Sequence, residues 1–529
     1  GNQQERKALY MIKQTRIDSG EIRGVTSSDL NVTMFRGIPY AQPPVGALRW
    51  RAPQPVVPWV GVRDCLEPAA VPMRSQGRPD PRDWGYNEIP VQEDCLYLNV
   101  WTPAKTPDEK LPVMVWIYGG GYVAGDSYQP VFEGTRFASR GVVFVSMNYR
   151  LDIFGMFAHP EITAQHRADG CTNFGLLDQA AALAWVQRNI AAFGGDPDNV
   201  TLFGHSAGAG SVTSQILSPK TEGLFHRAVV MSGGGISGAR PIQSASLAEM
   251  EQAGLDFQTF LGYSCLDDVR KLDGETILAK SREFCMQRPP LFEGAGGPLP
   301  MRSFRWSMCV DGDFVTEPSA LSILKRRQKR IPIIAGHSLH DMLVVPKEQT
   351  LDEFEANARR TYGDQADAYL KAVDFACGDM EQVRKNATYA GQAIGAETWC
   401  TWADHCGGFP VMYGYCMDQP RPEDPLGCSH GVDVDYAFDN LHYMRKAHRG
   451  ADYDVSRQFN LYLTNFAKTG NPNGLDFDGE PLPTWLPFTE ESPREMRFRN
   501  GAHMEDEQPP VLRFLVNYAL DWHQKHSLK

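Results

Sequence analysis

The strongest constraint on the fold is the alternation of strand-like and helix-like segments between residues 111 and 233. Residues 113–118, 142–148 and 200–203 are short apolar runs, which are typical of buried strands. Between the second and third runs, residues 176–193 place apolar side chains near a 3.6-residue spacing and end at a Gly-Gly pair, as helices do. Strands and helices that alternate in this way form a sheet covered by helices. The sequence therefore predicts an α/β fold with a large, mostly parallel central sheet.

The remaining segments indicate one domain that carries additions. The chain has 529 residues, of which 42% are hydrophobic, and no Pro-, Gly- or Ser-rich linker divides them. Residues 240–310 interrupt the alternation with polar helical patterns and a loop-like stretch at 292–300. We interpret residues 1–529 as a single domain in which residues 240–310 form a cap-like helical insertion over the sheet.

Charge and composition exclude several classes of partner. Asp and Glu number 64 against 52 Lys and Arg, which gives a formal net charge of −12. Nucleic-acid phosphates need a basic face, so the sequence predicts no nucleic-acid partner. The apolar runs are far shorter than the roughly 20 residues of a membrane span, so no span is predicted. The cysteines and histidines lack zinc-type spacing, and no metal site is predicted.

The clearest chemical signal is the pentapeptide GHSAG at 204–208, a GxSxG pattern that directly follows the strand-like run 200–203. The turn is tight, so side chains at the two glycine positions would collide with the neighbouring strand and helix. A strained turn of this kind holds the serine hydroxyl above the sheet. The alternative is an ordinary Gly-rich turn with a solvated serine, but the placement between strand and helix favours Ser206 as a nucleophile.

A serine nucleophile that attacks a carbonyl also needs donors for the negative charge that develops on oxygen. The sequence YGGGY at 118–122 ends a predicted strand, and its glycines let backbone amides approach a substrate closely. We assign the N–H groups of Gly120 and Gly121 as donors, together with that of Ala207. A flexible turn is the alternative interpretation of the glycine triplet.

The general base is expected to be a histidine, and where a serine lies at such a strand-to-helix turn the chain order is serine, acid, histidine. His430 lies in the Gly-flanked sequence CSHGVD at 428–433 and is the first candidate. A generic histidine is more often a surface or core residue than a base. The competitors are His337, His340 and His405.

The acid is assigned to Asp341, which follows the strand-like run 331–336. Functional loops collect at the carboxyl edge of such a sheet. Other aspartates could serve as the acid or could equally cap turns. These alternatives are Asp311, Asp313, Asp433 and Asp435.

Beyond these sites, the sequence resembles the type-B carboxylesterase and cholinesterase family of the α/β-hydrolase superfamily over nearly its whole length. The stretches that carry the resemblance are FRGIPYA at 35–41, EDCLYLNV at 93–100, NFGLLDQ at 173–179, FGGDP at 193–197, GHSAG at 204–208 and NFAKTGNPN at 465–473. The resemblance implies an α/β-hydrolase fold and a Ser206, Asp341, His430 triad. It also implies that Ser232 is a buried serine supporting the acid and the histidine.

Two residues depart from the family pattern. The family acid is usually glutamate, whereas this chain has Asp341, whose side chain is one methylene shorter. The residue before the nucleophile is often glutamate, whereas this chain has His205, which changes the polarity expected of the pocket.

The resemblance also bears on the cysteines. Cys65 and Cys95 stand where many relatives close a loop near the active site, so they are a candidate disulfide. The chain has 11 cysteines, an odd number, and nine others without evident partners indicate a reduced, cytoplasmic protein. Secretion after removal of a signal peptide is the alternative. Trp84 lies in the same loop, where cholinesterases place a cation-binding indole, and we interpret it as an ordinary loop aromatic.

Together these features predict a carboxylic ester hydrolase that acts through a serine acyl-enzyme on small to medium uncharged esters. No metal or organic cofactor is required by that chemistry. The alternatives are a thioesterase, a lactonase or an amidase on the same site, or a binding module without catalysis. The protein is expected to be a monomer or a homodimer.

Overall fold

The computed structural model describes residues 11–74, 89–292, 302–408, 410–444 and 447–529, and the structural statements below concern these residues. Trp84 and most of the loop-like stretch at 292–300 lie outside them.

Eleven strands form the central sheet. In chain order they are β1 (Val25–Thr26), β2 (Thr33–Pro39), β3 (Tyr97–Thr102), β4 (Leu111–Ile117), β5 (Val143–Met147), β6 (Gly195–His205), β7 (Arg227–Met231), β8 (Ile333–Ser338), β9 (Met412–Met417), β10 (Met496–Phe498) and β11 (Ala502–Met504). Their order across the sheet is β11, β10, β9, β8, β7, β6, β4, β5, β3, β2, β1. The strands from β10 to β5 run parallel, and antiparallel strands complete both edges. The predicted α/β fold with a mostly parallel sheet is confirmed.

Helices connect these strands and cover the sheet. They are α1 (Thr135–Ser139), α2 (Asp152–Met156), α3 (Pro160–His166), α4 (Phe174–Asn189), α5 (Ala207–Leu217), α6 (Leu247–Phe260), α7 (Leu266–Arg270), α8 (Gly274–Gln287), α9 (Ser319–Leu324), α10 (Leu351–Tyr362), α11 (Ala366–Ala372), α12 (Met380–Ala387), α13 (Gly391–His405), α14 (Val432–Phe438), α15 (Ala451–Thr469) and α16 (Pro510–His526). Within the described ranges, none of these helices is long and apolar enough to cross a membrane.

Short strands form smaller sheets outside the central one. Gln14–Ile17, Gly20–Arg23 and Val62–Asp64 form a three-stranded sheet, and the two-stranded pairs are Val71–Pro72 with Val91–Gln92, Ala245–Ser246 with Cys309–Val310, and Leu343–Val344 with Tyr389–Ala390.

Two boundaries differ from those predicted. The helix predicted over 176–193 is α4, Phe174–Asn189, followed by a 3-10 turn at Ile190–Phe193. Gly194 then adopts a left-handed conformation with φ 79°, which stops the helix and starts the next strand. The strand predicted over 200–203 extends to Gly195–His205, because Gly195 also pairs with Leu111 of β4, and the pairing then resumes at Val200 after an irregularity over residues 196–199.

The central strands form a close-packed core directly beneath the candidate site. Trp116 on β4, Phe203 on β6 and Phe438 on α14 are fully buried. The Trp116 ring centroid lies 4.9 Å from that of Phe203 and 4.9 Å from that of Phe438. Aromatic rings packed in this way stabilise a core through both burial and ring contacts. The loops that follow β4 and β6 therefore start from fixed positions.

The predicted insertion contains three helices, α6, α7 and α8. Their apolar faces bury Phe257 and Phe284 against Trp306, in a hydrophobic cluster separate from that of the sheet. Phe157 joins the same cluster from the sheet side. This second core fixes residues 302–310 beside the loop that follows β4.

Candidate active site

Ser206 lies at the turn between β6 and α5, in a conformation that few residues adopt. Its backbone has φ 59° and ψ −122°, and its N–H donates to the Met231 carbonyl at 3.0 Å. A non-glycine residue with these angles is strained and persists only where the surroundings hold it. Side chains on the flanking glycines have no room, because a Cβ on Gly208 would lie 2.1 Å from the Ile117 carbonyl oxygen and one on Gly204 would lie 2.7 Å from it.

We expect Gly208→Ala to destabilise the fold by about 1 to 3 kcal/mol, because the added methyl group would have to push back the end of β4. The free energy of unfolding in urea measures this change. Gly238→Ala is a suitable control, since its Cβ would meet only Ile394 Cγ2 at 3.9 Å, and it should shift stability by less than about 0.5 kcal/mol. Equal stability of the two variants would contradict the steric explanation.

The side chains of Ser206, His430 and Asp341 form one continuous hydrogen-bonded chain. His430 Nε2 lies 2.8 Å from Ser206 Oγ, and His430 Nδ1 lies 2.8 Å from Asp341 Oδ1. The Asp341 side chain is fully buried, whereas that of His430 is 28% exposed. Although Asp341 is shorter than the glutamate usual in the family, it reaches the imidazole from the turn that follows β8, in which its N–H donates to the Ser338 carbonyl.

The electrostatic surroundings favour an anionic acid and a basic imidazole. Burial alone would lower the pKa of His430, but the hydrogen bond and charge of Asp341 raise it above the usual value overall. Burial alone would raise the pKa of Asp341, but the hydrogen bond from His430 lowers it overall. The arrangement can therefore accept a proton from Ser206 and stabilise the resulting imidazolium ion.

A second buried carboxylate, Asp433, lies next to this chain. Its Oδ2 accepts hydrogen bonds from Ser232 Oγ and from Tyr415 Oη, both at 2.7 Å. Ser232 is thus bonded to Asp433, while its hydroxyl also helps to lower the pKa of Asp341. The sequence resemblance placed Ser232 with the acid and the histidine, and the structure adds Asp433 and Tyr415 to that network.

His205 forms the remaining part of this network. Its Nε2 lies 3.5 Å from Asp433 Oδ1, and its ring centroid is 4.6 Å from that of His430. Burial is the main cause that lowers the pKa of His205, to about 4, and the nearby His430 contributes in the same direction. His205 is therefore a neutral group beside the base, where the family often has a carboxylate.

The glycine triplet after β4 lies against the nucleophile. A Cβ on Gly119 would be 2.9 Å from Ser206 Cβ, and one on Gly120 would be 2.2 Å from the Ala124 carbonyl oxygen. Within the described residues, the N–H groups of Gly120, Gly121 and Ala207 donate no hydrogen bond to the protein. Gly121 and Ala207 line the cavity above Ser206, whereas Gly120 is not part of its lining. The N–H groups of Gly121 and Ala207 are therefore open to a substrate oxygen in the cavity.

The other candidate histidines lie in different surroundings. His337 pairs with Glu495 at 3.2 Å, and His405 pairs with Glu490 at 3.0 Å. His340 accepts a hydrogen bond from the Cys428 backbone. None of the three contacts Ser206.

The remaining alternative acids also have structural partners. Asp311 accepts three backbone N–H groups in a turn. Asp313 pairs with Lys220 and Asp435 with Arg421. Of the five aspartates considered from the sequence, Asp341 alone contacts His430.

Cys65 and Cys95, the candidate disulfide, are buried thiols without a bond between them in the structure. Burial raises the pKa of the Cys65 thiol to about 12 and that of Cys95 well above its usual value. Such thiols are poorly reactive because the thiolate is the reactive form.

One buried cluster in the described part of the chain has ligand types that metals prefer. His337, Cys416 and Glu495 place one ligand atom each within 4.8 Å of one another. However, His337 already pairs with Glu495, Arg497 donates to Cys416 Sγ, and burial raises the pKa of the Cys416 thiol well above its usual value. Because a metal requires a deprotonated thiol and would face the Arg497 charge, these residues fit a structural polar network better than a metal site.

A cavity of about 530 Å³ opens over Ser206. Its walls come from the loop after β4, from the start of α5, from residues 232–238, from the insertion and from the starts of α9 and α13. This volume is within the range of small-molecule sites, about 300 to 1,000 Å³. The site can hold a molecule with one carbonyl carbon near Ser206 Oγ.

Sequence reasoning missed Tyr415 and Arg305. Tyr415 lies inside a buried apolar strand, so no local pattern distinguishes it from a core residue. Arg305 lies in the insertion and lines the cavity, and only the structure brings it to Gly121, whose carbonyl accepts a hydrogen bond from it at 3.4 Å.

Comparisons with known sequences all point to one protein family. The carboxylesterase family model matches residues 12–388 and 346–511. The chain is 35% identical over 359 residues to fumonisin B1 esterase from Sphingopyxis macrogoltabida, an alignment that covers 66% of this chain and 61% of that protein. It is 31% identical over 521 residues to a cholinesterase from Mus musculus, which covers 88% of this chain and 80% of that protein. The aligned region thus spans less than two thirds of the fumonisin B1 esterase.

Comparison with solved structures extends this similarity to the fold. A PNB esterase superposes with a TM-score of 0.74 at 27% identity, covering 95% of this chain and 99% of the other. A thermophilic PNB esterase superposes with a TM-score of 0.72 at 27% identity and the same coverage.

Proposed function

This chain belongs to the carboxylesterase family and is a carboxylic ester hydrolase, and we propose that it works through an acyl-enzyme intermediate on Ser206. The observation that carries this proposal is the hydrogen-bonded chain from Ser206 through His430 to Asp341, with 2.8 Å at both contacts. The free N–H groups of Gly121 and Ala207 in the same cavity support it.

In the first step, His430 Nε2 takes the proton of Ser206 Oγ while the oxygen attacks the ester carbonyl carbon. The carbonyl oxygen becomes negative and accepts hydrogen bonds from the N–H groups of Ala207, Gly121 and Gly120. Each such donor contributes about 3 to 4 kcal/mol to lowering the barrier. Asp341 holds the imidazole so that Nδ1 carries the proton, and it stabilises the imidazolium ion.

The tetrahedral species then collapses, and His430 gives its proton to the departing alcohol. An ester of Ser206 with the acyl group remains. Water enters the alcohol site, loses a proton to His430 and attacks the acyl-enzyme carbonyl. Collapse of the second tetrahedral species releases the acid and restores the Ser206 hydroxyl. The residues named here supply every proton transfer in this sequence.

A partitioning experiment tests the acyl-enzyme. Phenyl butyrate and p-nitrophenyl butyrate should give the same ratio of butyryl hydroxamate to butyrate in the presence of hydroxylamine. Both esters pass through one butyryl-enzyme, so the leaving group no longer affects how the acyl group is divided between hydroxylamine and water. Ratios that differ between the two esters would show direct attack by water and would overturn the proposal.

The alternatives remain acyl transfers on the same serine, or binding without catalysis. The values of kcat/KM for matched oxygen esters, thioesters, lactones and anilides show which of these acyl transfers the enzyme prefers. We propose that oxygen esters lead because of the family similarity. The sequence predicts small to medium uncharged substrates, and the cavity of about 530 Å³ supports that size range. Absence of turnover on the whole panel would favour a binding module.

The pH dependence of kcat/KM is expected to show one acidic limb with its midpoint above pH 6.5. The reaction needs neutral His430, and Asp341 raises the pKa of this group, so activity rises as pH increases through the raised pKa. His205, with a pKa of about 4, stays neutral throughout this range and adds no second limb. The measurement uses a neutral ester at constant ionic strength, and a midpoint well below 6.5 would contradict the assignment.

The oligomeric state and the cellular location stay predictions from the sequence. A monomer or homodimer is expected, which light scattering coupled to gel filtration would distinguish. A cytoplasmic location is expected, with secretion as the alternative.

A further inference from the structure

The cavity over Ser206 has a charge pattern that the sequence prediction of uncharged esters does not explain. Among the described residues of its lining are two arginines, Arg240 and Arg305, and no aspartate, glutamate, lysine or histidine. The chain as a whole carries more acidic than basic residues. The charged residues in the described lining are therefore all basic, although acidic residues predominate in the chain as a whole.

Arg305 is held beside the reacting centre. It is half-buried, and its Nη1 donates to the Gly121 carbonyl at 3.4 Å, so its guanidinium lies against the loop that supplies the proposed oxyanion donors. A Cβ on Gly121 would be 3.0 Å from Arg305 Nη1. A guanidinium has five N–H donors, and one weak bond to a carbonyl leaves most of them available.

Arg305 lacks the acidic partner of three more deeply buried arginines, whose side chains are 8% exposed or less. Arg49 pairs with Glu93 at 2.6 Å, Arg150 with Asp178 at 2.8 Å and Arg74 with Asp126 at 2.9 Å. Within the described part of the chain, no carboxylate oxygen lies within 4.0 Å of a nitrogen of Arg305 or Arg240. Partly buried arginine charge is normally balanced, and guanidinium groups bind carboxylates with paired hydrogen bonds.

The nearby acids already have partners. Asp341 is bonded to His430, and Asp433 accepts from Ser232 and Tyr415. Glu317, next to the lining residue Pro318, pairs with Lys325 and Arg327. The balancing negative charge for Arg305 is therefore expected from a ligand.

We propose that the cavity is a binding site for esters that carry a carboxylate or a similar anionic group, with Arg305 as the main contact and Arg240 as a more exposed contributor. The inference rests on the proposed function, since it names the substrate class of the same site. Because Arg305 contacts the loop beside Ser206, the anionic group belongs to the same molecule as the ester that is cleaved. The substrate is thus an anionic ester instead of an uncharged one.

Two matched pairs of esters test the proposal, one for each side of the scissile bond. Monomethyl glutarate and methyl 5-methylhexanoate compare a carboxylate with an isopropyl group on the acyl side. The acetate ester of 4-hydroxybutanoate and 4-methylpentyl acetate make the same comparison on the alcohol side. The measured quantity is the charge preference, which is kcat/KM for the anionic ester divided by kcat/KM for its neutral partner.

We expect a charge preference of about tenfold or more in at least one pair at low salt, which falls as the ionic strength rises. Arg305→Gln should bring the preference close to one, and Arg240→Gln should reduce it by a smaller factor. Arg302→Gln is the matched control, because Arg302 is exposed in the same segment and does not line the cavity, and it should leave the preference unchanged.

The outcomes separate this proposal from the one on which it rests. A preference of one or less in both pairs, with neutral esters still hydrolysed, overturns the anionic site and leaves the esterase mechanism standing. A strong preference that survives Arg305→Gln overturns the assignment to Arg305, and a preference that Arg240→Gln leaves unchanged removes Arg240 from the site. No turnover of any of the four esters, with no hydroxamate formed, overturns the proposed function itself.

Discussion

Ser206→Ala is expected to lower kcat/KM for p-nitrophenyl butyrate by about 10⁶-fold, to the level of residual binding and oxyanion stabilisation. The methyl group of alanine cannot attack the carbonyl, and His430 then has no hydroxyl proton to accept. The backbone turn and the cavity should stay intact, since the Ser206 side chain contacts only His430 by hydrogen bond within the described residues.

Ser214→Ala is the matched control for this variant. Ser214 is a buried serine on α5, the helix that follows Ser206, and its hydroxyl donates to the Gly210 carbonyl and to Met308 Sδ but not to His430, so its loss should change kcat/KM by no more than about twofold. Urea unfolding of both variants shows that any loss of activity is not a loss of fold. Normal hydroxamate formation by the Ser206→Ala protein would remove Ser206 from the mechanism.

The second large effect is expected at the acid. Asp341→Asn should reduce kcat by about 10⁴-fold, because an amide can donate to Nδ1 and so favours the imidazole tautomer that cannot accept the Ser206 proton. The acidic limb of the pH profile should also move to lower pH, since the carboxylate that raises the pKa of His430 is gone.

Asp433→Asn provides the comparison, because Asp433 is the other buried carboxylate beside the site. Asp433 is bonded to Ser232 and Tyr415 and not to His430. The fold-loss of kcat in Asp433→Asn should therefore be smaller than that in Asp341→Asn by a factor of about ten or more, and the acidic limb should stay above pH 6.5. A larger loss for Asp433→Asn, with the shift of the limb, would reassign the acid to Asp433.

The sequence was sufficient to predict the class of fold and the order of its central segments. The reason is local: runs such as 113–118 and 200–203 are apolar enough to be strands in any compact structure, and glycines at 204 and 208 allow a tight turn that side chains would block. Boundaries were less predictable. The strand β6 begins at Gly195, which pairs with Leu111 of β4, and its polar residues 196–199 interrupt the pairing until Val200, so no apolar pattern marks where the strand starts.

The assignment of Ser206, Asp341 and His430 from the sequence depended on chain order and family resemblance, and the structure brings these three side chains within hydrogen-bonding distance. The surroundings of the triad could not be predicted in the same way. Tyr415 and Asp433 meet through strand and helix packing over 18 residues of chain, and Arg305 meets Gly121 across 184 residues. Contacts of that kind depend on tertiary packing, for which a single sequence carries no local pattern.

His205 illustrates the same limit. The sequence identified it as a departure from the usual glutamate, but its neutrality follows from burial and from the adjacent His430 ring, neither of which is visible in the pentapeptide. A neutral imidazole at this position places no negative charge beside His430.

Reaction with a fluorophosphonate, followed by peptide mass spectrometry, tests the central claim most directly. An activated serine attacks phosphorus and expels fluoride, so the account predicts one phosphonyl group per chain, located on Ser206, and no labelling of the His430→Ala variant on the same time scale. Stoichiometric labelling of a different residue, or an unlabelled Ser206 in a protein that still hydrolyses esters, would contradict it.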